Sequence, residues 1–227
     1  MSNTMEFEKI YNKGQAKLFK SQYLEYLTKT HPMVIWGMYV PIILGMLYYS
    51  IFQLEASLAH ALLIFVAGMF FWSLFEYLMH RFVFHYVAKT DKGRKINYIL
   101  HGNHHEYPRD KQRLFMPAAP SLILASALFS SMYLVFNLSG FPTNSFAFFP
   151  GFMLGYLIYG SMHYAIHAWN PPFKWMKGLW RNHHLHHYKQ DKRGFGVSST
   201  LWDHVFGTMF DLKNEKEDKE KVKELMY

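Results

Sequence analysis

The sequence predicts an all-α integral membrane protein built on four transmembrane helices. Two observations carry that reading: apolar runs as long as the roughly 20 residues a helix needs to cross the bilayer core, and a complete segregation of basic residues away from those runs. Chain-wide averages hide both, because 51% hydrophobic residues and a mean hydropathy of −0.08 blend the runs with strongly basic stretches. At 227 residues the chain is long enough for one compact core, and its length asks for no second domain.

The runs are Met33–Leu54, Ser57–Met79, Pro117–Asn137 and Ser145–His167. Pro41 lies inside the first, where a packed membrane helix tolerates it as a kink. None of the 24 Lys and Arg residues falls in a run or in the short connections Glu55–Ala56 and Leu138–Asn144. Five precede the first run, eight lie between the second and third, and eleven follow the fourth. By the positive-inside rule both termini and the central loop face the cytosol. A soluble all-α protein would also carry buried apolar helices, but it has no reason to partition its charge this completely.

Residues 1–31 are polar and mixed in charge and carry no cleavable signal-peptide pattern. With Phe7, Ile10, Tyr11, Leu18, Phe19 and Leu27 set among lysines, they are expected to form a cytosolic or interfacial segment, either an amphipathic helix on the membrane surface or a plain solvated one. Residues 32–210 make up the body of the protein. The alternating acids and lysines of 211–227 point to an exposed helix or frayed tail without chemistry. The chain ends without a KDEL-type signal, so a bacterial inner membrane and an endoplasmic reticulum membrane both fit.

Cysteine is absent, which excludes disulfides, thiolate-ligated haem, Cys-ligated iron–sulfur clusters and zinc ribbons. Any metal must be held by nitrogen or oxygen. A net charge of +8 suits either nucleic acid or a membrane surface, and its location beside the spans selects the membrane, so no nucleic-acid partner is expected.

Eleven of the 14 histidines fall into four clusters: His80 and His85; His101, His104 and His105; His163 and His167; His183, His184, His186 and His187. Each cluster lies at the cytosolic end of a span or in the segment after it, so all four can converge. Residues three and four apart share a helix face, so the two H-x-x-H-H boxes, His101/His104/His105 and His183/His186/His187, are each expected to present three imidazoles to one point. His163 and His167, one turn apart, form a two-nitrogen clip. His80 and His85, five apart, require the helix to end or distort between them. His184 points about 100° away from His183 and is read as an outer-layer or exposed group. His31, His60 and His204 are isolated and carry no site.

The ten remaining imidazoles exceed one ion's capacity, and two ions with about five nitrogens each are the natural partition. Nitrogen donors suit iron, zinc or copper rather than magnesium or calcium. The ferritin-like Glu-x-x-His motif is absent, and so is the metalloprotease H-E-x-x-H, since His105-Glu106 is followed by Tyr107, Pro108 and Arg109. A metal transporter would place its ligands at the bilayer midplane, whereas these sit at span ends and in loops.

In chain order the spacings H-x4-H, H-x2-H-H, H-x3-H and H-x2-H-H resemble the histidine boxes of the sterol desaturase and fatty acid hydroxylase superfamily, from about residue 70 to residue 210. The boxes alone fit sterol desaturases, carotene hydroxylases and alkylglycerol monooxygenases as well. The text around them is more specific. His101-Gly102-Asn103-His104-His105, followed by Pro108, Asp110, Arg113-Leu114 and Pro117, resembles the fatty acid 2-hydroxylase branch. So does Gly194-Phe195-Gly196-Val197 leading into Leu201-Trp202-Asp203 and Val205-Phe206-Gly207-Thr208. The chain departs from that branch at Ala118, where a second proline is common, at Tyr159-Gly160, where an acid is common, and at Ala168, where a further histidine is common.

What the resemblance implies is a dimetal centre held by ten histidines, four spans under a cytosolic helical cap, and insertion of oxygen at the carbon next to an acyl carbonyl. The ligands would be His80, His85, His101, His104, His105, His163, His167, His183, His186 and His187, with no catalytic side chain beyond them. Two irons are the expected cofactors, with dioxygen as co-substrate; zinc in a purified sample could occupy the same nitrogens without doing redox chemistry. The chain carries no fused cytochrome b5-like haem domain, so electrons are expected from a separate cytochrome b5-like or ferredoxin-like protein. The lipid acyl substrate is a free fatty acid, a coenzyme A ester or a sphingolipid amide. Arg109, Lys111 and Arg113 are candidates to meet its headgroup, the alternative being plain positive-inside charges. Glu76 is expected either to orient a ligand imidazole or to snorkel to solvent. Lipid desaturation and carotenoid hydroxylation are the alternative reactions, and a non-enzymatic metal-binding membrane protein is the alternative class.

Overall fold

In the computed structural model, residues 10–212 and Lys223 are described, and every regular element among them is helical. Four helices are long and apolar enough to cross a membrane: Pro32–Gln53, Leu58–Phe84, Ala118–Leu138 and Pro142–Ala168. All four expected spans are present. The second runs five residues past its expected end, and the reason bears on the histidines below.

The chain packs as two units. One contains the described residues of Met1–Glu25, Glu76–Leu114 and Met162–Tyr227; the other contains Tyr26–Phe75 and Phe115–Ser161. Within the second unit, helices approach through glycine. A Cβ added at Gly68 would stand 2.0 Å from the Phe148 carbonyl oxygen, and one at Gly151 would stand 1.9 Å from that of Phe65. One turn beyond Gly151, Gly155 leaves room for the Trp72 side chain. Lipid tails are as apolar as leucine, so membrane helices associate through this kind of backbone contact, and Gly151-x-x-x-Gly155 is the small-residue spacing that permits it. Phe71, Trp72, Phe75, Phe152 and Tyr156 fill the surroundings with ring contacts of 4.8–6.1 Å. Polar groups in the spans pair with one another, as in Tyr39 with Ser121 at 2.7 Å and Trp36 with Ser161 at 3.0 Å.

The first unit is assembled from short helices: most of α1 (Gln22–Leu27), whose last two residues fall in the other unit, α2 (Asp91–Asn97), α3 (Asn103–Glu106), α4 (Lys177–Tyr188) and α5 (Leu201–Val205), with the ends of the second and fourth spans. Residues 10–21 form neither the amphipathic nor the solvated helix expected of them. They run as an irregular strap whose partners are far along the chain. The Tyr11 N–H donates to the Glu106 carbonyl at 2.7 Å, the Tyr11 and Tyr107 rings stack at 5.0 Å, and the Tyr188 hydroxyl donates to Asn12 at 2.8 Å. Specific docking of this kind competes with a surface helix and displaces it. Phe7 and most of the charged C-terminal stretch lie outside the described residues.

Two stretches of this unit change helical type. The second span continues as a π turn over Met79–Phe84, and α2 continues as a π turn over Tyr98–Gly102. Such i→i+5 turns are rare and free some carbonyls from regular pairing. Asn103 Nδ2 donates to two of them, Tyr98 O and Ile99 O, at 2.9 Å each. That capping explains a buried asparagine between two histidines.

The glycine contact sets a test. Gly151→Val should lower the stability of the detergent-solubilised protein by about 1–3 kcal/mol or more, because backbone cannot move aside as a side chain can. Gly37→Val, in a span but facing open space, should be nearly neutral. Equal shifts of the two unfolding midpoints would show that the close approach does not matter.

Candidate metal centre

The clustered histidines converge within the first unit. His80 lies on the Met79–Phe84 π turn with His85 immediately after it, His101 lies on the Tyr98–Gly102 turn, and His104 and His105 lie on α3. His163 and His167 end the fourth span, and His183, His186 and His187 lie on α4. The π turn answers the spacing problem of H-x4-H. In an α-helix, residues five apart are about 140° out of phase. The i→i+5 turn, closed here by the His85 N–H donating to the His80 carbonyl at 3.2 Å, brings them back to one face.

The ten rings form two groups of five. In one, a nitrogen from each of His80, His85, His101, His105 and His186 lies within 4.8 Å of the others; in the second, the same holds for His104, His163, His167, His183 and His187. The boxes are therefore not three-pronged, as expected, but split. His101 and His105 join the first group and His104 the second, while His183 and His187 join the second group and His186 the first. The physical reason is helical phase: adjacent residues point about 100° apart, so His104 and His105 cannot aim at one point, and neither can His186 and His187. Rings from different groups still touch, with His105 and His187 stacked at a centroid distance of 4.2 Å and His186 5.5 Å from His187.

Nine of the ten side chains belong to buried residues, and the His85 side chain is 8% exposed. For His101, His104, His105, His183, His186 and His187, burial first and neighbouring imidazoles second hold the pKa well below 6.5. They are neutral at physiological pH, each with one N–H and one lone pair. Outer partners assign the N–H in the first group. His80 Nδ1 donates to Phe195 O at 2.6 Å, His186 Nδ1 to Arg193 O at 2.7 Å, and His85 Nδ1 to Asp191 Oδ2 at 3.3 Å. Their Nε2 lone pairs then face inward, the arrangement that metal-binding imidazoles adopt.

Inside the groups, Nε2 atoms crowd one another. His101 stands 3.2 Å from His80 and 3.0 Å from His105; His183 stands 3.0 Å from His167 and 3.1 Å from His187. His85, His104 and His186 each have a buried Nε2 with no hydrogen-bond partner among the described residues. Buried lone pairs without donors are costly. A cation bound by all five nitrogens removes that cost in each group, and nitrogen donors in this number suit a borderline transition metal. The residues fit two such ions.

Glu76 is buried, which excludes the snorkelled alternative, and its Oε1 accepts from Ser198 N at 3.0 Å and Ser198 Oγ at 2.7 Å. The Arg113 side chain is 4% exposed and ion-paired with Glu25 and Asp110, so its charge is already engaged within the fold. Lys111 is exposed and Arg109 half-buried. His184 is buried rather than exposed; its Nε2 pairs with Ile166 O at 3.2 Å, next to His167, and burial pushes its pKa down to about 4. His31 caps the first span by accepting from Met33 N, His60 Nε2 pairs with Asn144 Oδ1 at 2.8 Å, and His204 pairs locally with the Thr200 carbonyl. Sequence reasoning missed Asp191, the role of Asn103, and the Arg193 and Phe195 carbonyls. Asp191 alone had a usable signal, an acid four residues beyond a histidine box.

A helical membrane protein with two buried five-imidazole groups belongs to the class able to hold a pair of transition-metal ions. Comparison with known proteins narrows the class. The fatty acid hydroxylase family model matches residues 65–208. Dihydroceramide fatty acyl 2-hydroxylase FAH1 of Arabidopsis thaliana is 34% identical over 200 residues, covering 88% of this chain and 82% of that protein. Ceramide very long chain fatty acid hydroxylase SCS7 of Saccharomyces cerevisiae is 36% identical over 205 residues, covering 87% of this chain and 50% of that protein. A solved structure of full-length scs7p, in which only the hydroxylase domain is visible, superposes with a TM-score of 0.78 at 35% identity, over 87% of this chain and 73% of that one. The chain belongs to the fatty acid hydroxylase family.

The burial of neutral imidazoles sets a pH dependence. Folded-state pKa values below 6.5 mean that the unfolded chain takes up protons first on acidification. Stability of the metal-free protein should therefore be full above about pH 6.5 and fall below it, by up to about 1.4 kcal/mol per pH unit for each ring that titrates only when unfolded. Thermal melts of metal-free protein between pH 8 and pH 5 measure this; a midpoint that holds or rises on acidification would show that the rings are not buried and neutral.

Proposed function

We propose that the chain is a dioxygen-dependent hydroxylase that inserts one oxygen atom at the carbon next to the carbonyl of a lipid acyl chain, either a fatty acid or a sphingolipid N-acyl group. The observation that supports this most is the pairing of two buried five-imidazole groups in a member of the fatty acid hydroxylase family. Relatives named as acyl 2-hydroxylases match most of the chain, which favours the second carbon as the target.

In this reading His80, His85, His101, His105 and His186 hold one ion, and His104, His163, His167, His183 and His187 hold the other. A pair of irons supplies the dioxygen reduction and C–H cleavage that side chains alone cannot perform, and that zinc on the same nitrogens does not. The chain's own residues do the rest. Outer hydrogen bonds hold the inward lone pairs of His80, His85 and His186 in place, and burial keeps bulk water from the rings. No side chain beyond the ligands is assigned a catalytic proton. Two electrons would come from a separate redox protein, cytochrome b5-like or ferredoxin-like, and with two protons taken up the second oxygen atom would leave as water.

Lys111 and Arg109 are the cations proposed to meet an anionic or amide headgroup; Arg113 is left out because Glu25 and Asp110 engage it. The segregation of Lys and Arg supports an orientation with both termini in the cytosol, in a bacterial inner membrane or the endoplasmic reticulum membrane.

Lipid mass spectrometry of a host that makes no 2-hydroxylated lipids tests the proposal. Expression should add one oxygen to acyl chains, placed on the second carbon by fragmentation. A loss of two hydrogens instead would mean desaturation, and oxygen found only on carotenoids would move the substrate. His104→Ala and His186→Ala, one from each group, should each abolish the product; activity retained in either would remove that residue from the ligand set.

A further inference from the structure

We infer that Asp203 is a positioning residue for the His80/His85/His101/His105/His186 group alone, holding the backbone of Arg193–Gly196 in the place from which it locks His80 and His186. The inference rests on the ligand assignment proposed above.

Asp203 is fully buried. Its Oδ1 accepts from Phe195 N at 3.0 Å and Thr208 Oγ1 at 2.7 Å, and its Oδ2 accepts from Gly196 N at 2.8 Å and Asn182 Nδ2 at 3.2 Å. All four donors are neutral, and among the described residues the carboxylate has no ion-pair partner. A buried charge held only by neutral donors is expensive to fold around, so its position calls for an explanation.

The explanation lies on the other side of the same peptide units. Phe195, whose N–H is fixed by Asp203, offers its carbonyl to His80 Nδ1. Two residues earlier, the Arg193 carbonyl takes the Nδ1–H of His186. The segment is shaped to press against the carboxylate. A Cβ at Gly196 would stand 2.1 Å from Ser199 O and 2.9 Å from Asp203 Oδ2, and Gly194 sits at φ +73, where a Cβ would meet Asn182 O at 2.9 Å. The segment is also stitched to the helix end that carries His80. Glu76 accepts from Ser198, while Thr208, bonded to Asp203, pairs with Tyr77 OH at 2.9 Å. Nothing comparable serves the second group through this segment, since His183 Nδ1 and His187 Nδ1 have no hydrogen-bond partner among the described residues.

Asp203→Asn is the sharpest change, because it keeps the shape and removes one acceptor. At least one of the Phe195 and Gly196 N–H groups then faces an amide donor or goes unpaired. The experiment titrates cobalt(II), visible by its ligand-field absorption, into metal-free full-length protein in detergent, with metal analysis after passage over a chelating resin. Wild type should hold two ions. In Asp203→Asn one ion should bind about 10–100-fold more weakly while the other is unchanged. Double variants identify which: combined with His186→Ala, Asp203→Asn should add little, whereas combined with His104→Ala it should weaken the ion that remains.

Failure of wild type to hold two ions sinks the ligand assignment rather than the role of Asp203. Two ions with unchanged affinities in Asp203→Asn, or equal weakening of both in a protein that still folds, overturns the role. If Asp203→Asn does not fold, Thr208→Val, which removes a single bond to the carboxylate, decides. A smaller weakening confined to one ion supports the inference, and none, or the same at both, ends it.

Discussion

Neutral imidazoles packed away from water, with lone pairs aimed at one another across about 3 Å, are stable only if something positive sits among them. Much of the histidine-bearing unit follows from that condition. Rings must be buried to stay neutral, their outer nitrogens need acceptors so that the inner ones carry lone pairs, and the backbone offering those acceptors must itself be fixed. Each requirement hands a constraint to the next layer: imidazole to the Phe195 and Arg193 carbonyls, those carbonyls to a segment bracketed by Gly194 and Gly196, and that segment to Asp203.

Helical phase is the second organising fact. A regular α-helix cannot bring His80 and His85 to one face, and a π turn over Met79–Phe84 does so by inserting an extra residue into the turn. Phase also divides the two H-x-x-H-H boxes. Because neighbouring residues diverge by about 100°, each box feeds both groups, and the groups end up side by side with rings such as His105 and His187 in direct contact.

The fold was legible to the extent that it depends on composition along the chain. Runs of apolar residues and the exile of all 24 basic residues from them are properties of the sequence alone, and they located the four spans. The histidines that come together were legible for the same reason, since imidazole clusters without cysteine have few other uses. Their division between two groups is not legible in three-and-four spacing, because the i+3 and i+4 side chains straddle the face they nominally share. The strap at 10–21 was misread because amphipathic spacing does not reveal a partner more than 90 residues away, such as Asp110 for Gln15. Arg113 looked like a free cation for the same reason, its Glu25 partner being 88 residues distant. The Phe195 and Arg193 carbonyls were beyond reach of any motif, because every residue has a carbonyl and only the fold says which one meets an imidazole.

The strap has a consequence for how the molecule comes into being. Asn12 is made well before its partner Tyr188, which follows 176 residues later. The strap's partners Glu106, Tyr107 and Asp110 precede the third span, so docking can begin there, whereas the Asn12–Tyr188 bond waits until all four spans have been synthesised. His183, His186 and His187 emerge in that same stretch, so the strap's last bond forms in the interval in which the last imidazoles arrive. The strap is thus fastened in two stages, the second of them shared with the last imidazoles.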